Sequence, residues 1–309
     1  MSLRINNNVE ALNAHRHLLN NEKMLTKSLE RLSSAQKINR GADGPAALVI
    51  SEGMRSQIAS LHQAADNNTT AISLVQTAEG ALNEVSKLLV DMRQRAVAAA
   101  NIGLNDENMV NASQQEIENA LDTIDRISTN TQFGSKNLLD GNGKAAAGVP
   151  AVEAEAAAKA TEKNSKIFTF QIGAEEGQMV SIDLPNAATT ELAKGVSNQS
   201  GFASLADVDV TTGQGAQDAM AVIDTAIEEI AVARGEMGAF QKNTLESNLT
   251  SLRIHTENLT AAESSIRDAD IAVELAAFTR NQIMTQSATA QLAQANALPK
   301  NVMALLASQ

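Results

Sequence analysis

Residues 54–89 read MRSQIASLHQAADNNTTAISLVQTAEGALNEVSKLL, and their spacing decides the fold. Met54, Ile58, Leu61, Ala65, Asn68, Ile72, Val75, Glu79 and Leu82 recur at alternating steps of 4 and 3. That alternation puts one stripe along a helix and marks a seam for packing on another helix with little supercoil. The four prolines stand at 45, 150, 185 and 299, so none interrupts residues 46–149 or 186–298. Ten of the 17 glycines lie between Gly134 and Gly215. Turns therefore concentrate in the middle, and the flanks are free to run as long helices. A helix of about 50 residues is roughly 75 Å long, the dimension of a rod rather than a globule.

The same periodicity recurs on both sides. Ile5, Val9, Leu12 and Leu19 are spaced 4, 3 and 7, and Leu18, Leu25, Leu29 and Leu32 follow at 7, 4 and 3. Ile117, Leu121 and Ile124 repeat it, as do Ile223, Ile227 and Ile230. Leu245, Leu249, Leu252, Thr256 and Leu259 carry it onward, and Ile271, Leu275 and Phe278 bring it near the end. Pro299 is expected to end or kink the last helix, leaving residues 302–306 as a short apolar tail.

The middle alternates instead. In IFTFQIG (167–173), Phe168, Phe170 and Ile172 share a face; in MVSIDL (179–184), Val180, Ile182 and Leu184 share one. With Ala174–Gln178 as the turn, this reads as a β-hairpin with one buried face. Residues 141–165 are rich in Ala and Gly with no apolar period, a surface insert with transient helix at EAEAAAKA. The fold class is thus mainly α: a long helical rod or coiled-coil bundle formed by the N- and C-terminal arms, with a small β-hairpin region in the middle. On periodicity alone, an ordinary helical bundle stays open.

Composition narrows the function. The 309 residues include no Cys, Trp or Tyr and only six Phe, so the core is aliphatic. Without Cys there is no disulfide, no thiol chemistry and no Cys-ligated metal. A formal charge of −12 argues against broad nucleic-acid binding. No window is apolar enough to span a membrane, and the N-terminus lacks the apolar core of a cleaved secretory signal. The charge is uneven: residues 1–50 carry a net +3 and residues 51–140 a net −6. A basic N-terminus on an acidic body suits end-to-end pairing or simply a solvated face.

Motifs for catalysis are absent. His15 and His17 stand two apart and point to different sides of a helix, so they cannot chelate together there. Gly141-Asn142-Gly143-Lys144 echoes a phosphate loop without its first Gly or final Ser/Thr. The stretch from Asp207 to Gly213 is a poor calcium loop, with Thr212 where the sharp-turn Gly belongs. No enzyme, cofactor or metal site is expected.

Long, ordered motifs at both ends resemble bacterial flagellin. At the N-terminal end these are INNNVEALNAHRHLLNNEKMLTKSLERLSSAQKINRGADGPAALVISEGMRSQIASLHQA, AISLVQTAEGALNEVSKLL and QQEIENALDTIDRISTNTQFGSKNLLDG. At the C-terminal end it is LRIHTENLTAAESSIRDADIAVELAAFTRNQIMTQSATAQLAQANALPKNVMALL. IFTFQIGAEEGQMVSIDL is similar to the hairpin of the flagellin shaft. The resemblance implies a filament subunit for motility, exported unfolded and assembled at the filament tip. It implies an inner terminal coiled-coil domain of residues 1–43 plus 268–309 and a shaft domain of 44–267. The shaft would hold helices over 45–130 and 215–267, the insert 141–165 and the hairpin 167–184, with little or no outer domain. The Gly41-Ala42-Asp43-Gly44-Pro45 turn would join the two.

The resemblance also implies partners. The chain would polymerise with itself through Ile5, Val9, Leu12, Leu18, Leu25, Leu29 and Leu32 of the first arm. These would face Leu275, Phe278, Ile283, Leu292, Val302 and Leu305 of the last. An export chaperone would hold the C-terminal segment, the type III apparatus would pass the chain, and filament cap and hook-junction proteins would adjoin it. The filament would be extracellular, or periplasmic in a spirochaete. A Toll-like receptor surface matches in weakened form: Arg93 and Glu116 keep the recognised pattern, but Asp91 replaces an Arg and Arg95 a Leu. The rival reading is the hook–filament junction protein, which has flagellin-like termini; the ENLTAAESSIRDAD run and the QANALP ending favour flagellin.

Overall fold

The computed structural model describes residues 8–101, 103, 106–141 and 165–307, the last ten of these as backbone only. Six helices carry most of the described chain: α1 (Val9–Ser34), α2 (Pro45–Ala99), α3 (Glu107–Asn130), α4 (Gly213–Phe240), α5 (Ser247–Arg267) and α6 (Ile271–Ala307). A π turn, Gln241–Glu246, joins α4 to α5 without a break in the helical run. The described residues also form two antiparallel hairpins, β1 (Gln132–Phe133) with β2 (Lys136–Asn137) and β3 (Lys166–Gln171) with β4 (Met179–Leu184), and a short 3-10 turn at Leu205–Asp207. The insert expected over 141–165 lies, but for its two ends, outside the described residues, and EAEAAAKA with it. The helix limits differ from expectation at one point: α6 continues through Pro299 to Ala307. A proline there forgoes one backbone hydrogen bond, and the residues on either side keep the helical path.

The chain divides into two compact units, Met1–Ile58 with Glu257–Gln309, and Ala59–Thr256. In the second unit the stripe that alternates by 4 and 3 is the inward face of α2. Leu61, Asn68, Val75 and Leu82 are buried, and Ala65, Ile72 and Glu79 half-buried. Leu89 and Met92 extend the face, Ile117, Leu121 and Ile124 meet it from α3, and Val222, Ile223 and Ile230 meet it from α4. Each such aliphatic side chain taken from water contributes about 1.5–3 kcal/mol. Leu, Ile, Val and Ala dominate the core, with Phe168 buried in it at the hairpin.

The larger hairpin forms over the expected residues. Phe168 pairs with Ile182 and Phe170 with Val180, and Phe168, Ile182 and Leu184 are buried. Gly177 takes φ +83° in the turn, a conformation open to glycine at no steric cost. Two asparagines on different helices pin its end. Asn67 of α2 donates to the Gln171 carbonyl at 3.2 Å, and Asn248 of α5 donates to the Ile172 carbonyl at 2.7 Å. The small β1–β2 hairpin in TQFGSKN was not expected; two-residue strands leave no periodicity, and Gly134 at φ +65° is their main signal.

In the first unit α1 and α6 pack as an antiparallel pair. Asn8 caps α1 by accepting from the Ala11 amide at 3.0 Å. Asp270 caps α6 in the same way, accepting from Ala272 and Val273 at 2.9 and 3.2 Å. Ala35 ends α1 in the left-handed conformation at φ 55°.

Candidate assembly and recognition surfaces

Helix α1 carries apolar residues on more than one face, and only one face packs on α6. Leu18, Leu25 and Leu32 are half-buried along the inner seam, opposite half-buried Phe278 and Leu292. Val9, Leu12 and Leu29 point away, and so do Leu275 and Ile283; Leu12 is 67% exposed and Ile283 61%. Residues expected to lie face to face are therefore split between an intrachain seam and an outer surface. The side chains of Ile5, Val302 and Leu305 lie outside the described residues. On α6 the outward residues Leu275, Ile283 and Met284, with Ala272 and Thr279, line a shallow groove of about 600 Å³.

One end of the α1–α6 pair is locked by groups that the spacing of apolar residues does not reveal. The Lys37 amide donates to the Arg267 carbonyl at 2.7 Å, and the Ala269 amide to the Ala35 carbonyl at 2.9 Å. Arg267, itself buried, places Nη1 2.5 Å from Glu52 Oε1. Lys27 reaches Asp43 at 2.7 Å, and Arg31 reaches Glu274 at 3.8 Å. The hydrogen bond from Lys27, then those from the Arg40 and Asn39 amides, hold the Asp43 carboxyl below its ordinary value. Arg267, with Arg55 helping, does the same for Glu52. The residue types in SSIRDAD were the available signal: Ser264, Arg267, Asp268 and Asp270 each make one of these local contacts.

The four residues of the weakened receptor pattern lie on α2 and α3. Asp91, Arg95 and Glu116 line one groove of about 390 Å³ with Asn119 and Thr123. Arg95 Nε sits 2.5 Å from Glu116 Oε2, so the two charges satisfy each other. Arg93 turns elsewhere and forks onto Asp224 of α4, which raises the guanidinium pKa further. Among the described residues no cluster of His, Asp and Glu could hold a metal ion, and no helix is long and apolar enough to cross a membrane.

Comparison with known proteins agrees with this geometry. The family model of the bacterial flagellin N-terminal helical region matches residues 5–144, and that of the C-terminal helical region matches residues 220–306. The chain is 40% identical to the flagellin of Bacillus subtilis strain 168, covering 98% of this chain and 100% of that protein. It is 38% identical to the flagellin of Halalkalibacterium halodurans, covering 98% and 99%. Among solved structures, a provisionally named flagellar hook-associated protein from Vibrio parahaemolyticus aligns with a TM-score of 0.57 at 16% identity. It covers 73% of this chain and 100% of that one, a likeness of fold alone. Nothing here favours the junction-protein alternative. With both terminal regions matched and flagellins aligned along nearly its whole length, the chain belongs to the bacterial flagellins, structural subunits that self-assemble into the flagellar filament for motility.

Proposed function

We infer that the outward stripes of α1 and α6 are the surfaces on which neighbouring subunits pack. Val9, Leu12, Leu29, Leu275 and Ile283 carry this role, and Leu18, Leu25, Leu32, Phe278 and Leu292 hold the arms together behind them. The supporting observation is the exposure of large aliphatic residues in rows along both helices. Each one buried against a neighbour is worth about 1.5–3 kcal/mol, and heterologous contacts of this kind build an open helix rather than a ring. Residues 1–43 with 268–309 form the inner domain, and residues 44–267 form the shaft. The chain passes the type III export apparatus unfolded and joins the extracellular filament at its tip, between hook-junction and cap proteins. An export chaperone covers the apolar groove on α6 until then. Leu12→Asp is expected to abolish filaments by electron microscopy while the circular dichroism of the 59–256 unit is unchanged; filaments of normal length from that variant would overturn the reading.

The receptor surface is weak in this chain. Asp91 offers a carboxylate, and Glu116 is already held by Arg95. Purified monomer is expected to activate a Toll-like receptor reporter poorly. The double change Asp91→Arg with Arg95→Leu is expected to raise the response at least tenfold, the ratio set by about 1.4 kcal/mol. Strong activation by the unaltered chain would contradict this.

A further inference from the structure

The seam between α1 and α6 is poor in large apolar groups. On α1 its inward residues run Ala11, Ala14, Leu18, Asn21, Leu25 and Ser28, again by steps of 3 and 4. On α6, Asn281, Thr285, Ala288 and Ala295 interrupt Phe278 and Leu292. The seam is crossed by three asparagine amides. Asn8 Nδ2 donates to the Ala295 carbonyl at 2.8 Å, Asn21 Nδ2 to the Met284 carbonyl at 3.3 Å, and Asn281 Nδ2 to Ser28 Oγ at 3.2 Å. One antiparallel alignment satisfies all three. A slide of one heptad brings residue 35 or 21 opposite Asn281 in place of Ser28, and so parts both side-chain pairs that join the helices, Asn281 with Ser28 and Arg31 with Glu274. A polar residue at a seam position lowers stability and specifies register.

We propose that Asn8, Asn21, Ser28 and Asn281 form a register key. Their task is to align the two arms so that the outward residues of α1 and α6 meet as one continuous surface for the next copy. The inner seam then selects one alignment, and the outer surface supplies the apolar burial. This rests on the self-packing role assigned to the outer stripes. It deepens that role, because a one-residue slip would rotate those stripes apart as effectively as removing them.

The absence of cysteine makes the test direct. Lys23→Cys and Gln282→Cys, both exposed positions, carry nitroxide labels. The labelled chain is diluted into unlabelled chain and copolymerised, and the distance within one subunit is read by pulsed electron resonance. The parent sequence is expected to give one narrow distance. Asn21→Leu with Asn281→Leu is expected to add a second population at longer distance, from an axial offset of about 10 Å, one heptad of helix rise, with helix content equal or greater. Asn21→Ala with Asn281→Ala, which adds no bulk, is expected to broaden the distance in the same sense. A single unchanged distance in both variants overturns the proposal. A variant that does not copolymerise is read as soluble chain in a stabilising osmolyte; loss of arm helix there, in place of mixed registers, also overturns it. Failure of the outer-stripe role would show separately, as normal filaments from Leu12→Asp.

Discussion

Single residues in this chain act through backbone geometry and charge more than through bulk. A Cβ on Gly215 would stand 2.5 Å from the Asp209 carbonyl oxygen, a backbone atom that cannot swing aside. Gly215→Ala is expected to destabilise the second unit by about 1–3 kcal/mol, the scale of overpacking, read as a lowered urea midpoint. Ala35 shows the converse. Its left-handed conformation costs an L-residue about 1–2 kcal/mol, so Ala35→Gly is expected to raise the melting point of the α1–α6 pair. Asp43 and Glu52 set the acid response. Both are lowered in the folded chain, so their stabilisation is present above their unfolded values of 3.8 and 4.5 and is lost as pH falls through the lower folded values. Protection from hydrogen exchange at residues 35–45 and 265–272, relative to the intrinsic rate at each pH, should therefore fall on acidification before that of the α2 amides from Leu74 to Leu89. Asp43→Asn should lower the protection of these amides already at neutral pH and flatten its acid dependence.

Elements are held by a few polar ties laid over apolar stripes. Asn67 and Asn248 fix the β3–β4 hairpin from two helices, and each such hydrogen bond is worth about 0.5–1.5 kcal/mol. Replacing both by Ala is expected to speed exchange of the β3 and β4 amides while the core of α2 stays protected. The hairpin and α2 were legible in the sequence because their periods, two and alternating 3–4, extend over six residues or more. The choice among the apolar faces of α1 was not. A heptad reading selects the largest side chains, whereas the buried seam is built from Ala, Asn and Ser. The π turn at Gln241–Glu246 was equally hidden, since Leu245, Leu249 and Leu252 keep the expected spacing through it. Arg267 and Glu52 could be found only as a motif without a role, because their partnership joins residues 215 positions apart.

For the molecule as a whole, the proposed assignment gives folding and assembly to different residues. Leu82 is fully buried and Leu12 is 67% exposed, though a hydropathy scale treats them alike. Leu82→Ala is expected to cost about 2–5 kcal/mol of stability in the second unit while filaments still form below its melting temperature. Leu12→Asp should do the reverse, so denaturation and sedimentation together separate the two roles.

The ends of the segment between β2 and β3 are tied to each other. Lys166 Nζ stands 3.0 Å from Asp140 Oδ1, and the Ala187 amide donates to the Leu139 carbonyl at 3.0 Å. The residues that flank this segment are thus stapled to the fold and to each other. Closing a longer excursion between stapled ends adds only about 0.6 kcal/mol for each doubling of its length. A longer sequence placed between these stapled flanks is therefore expected to leave the melting point of the 59–256 unit nearly unchanged.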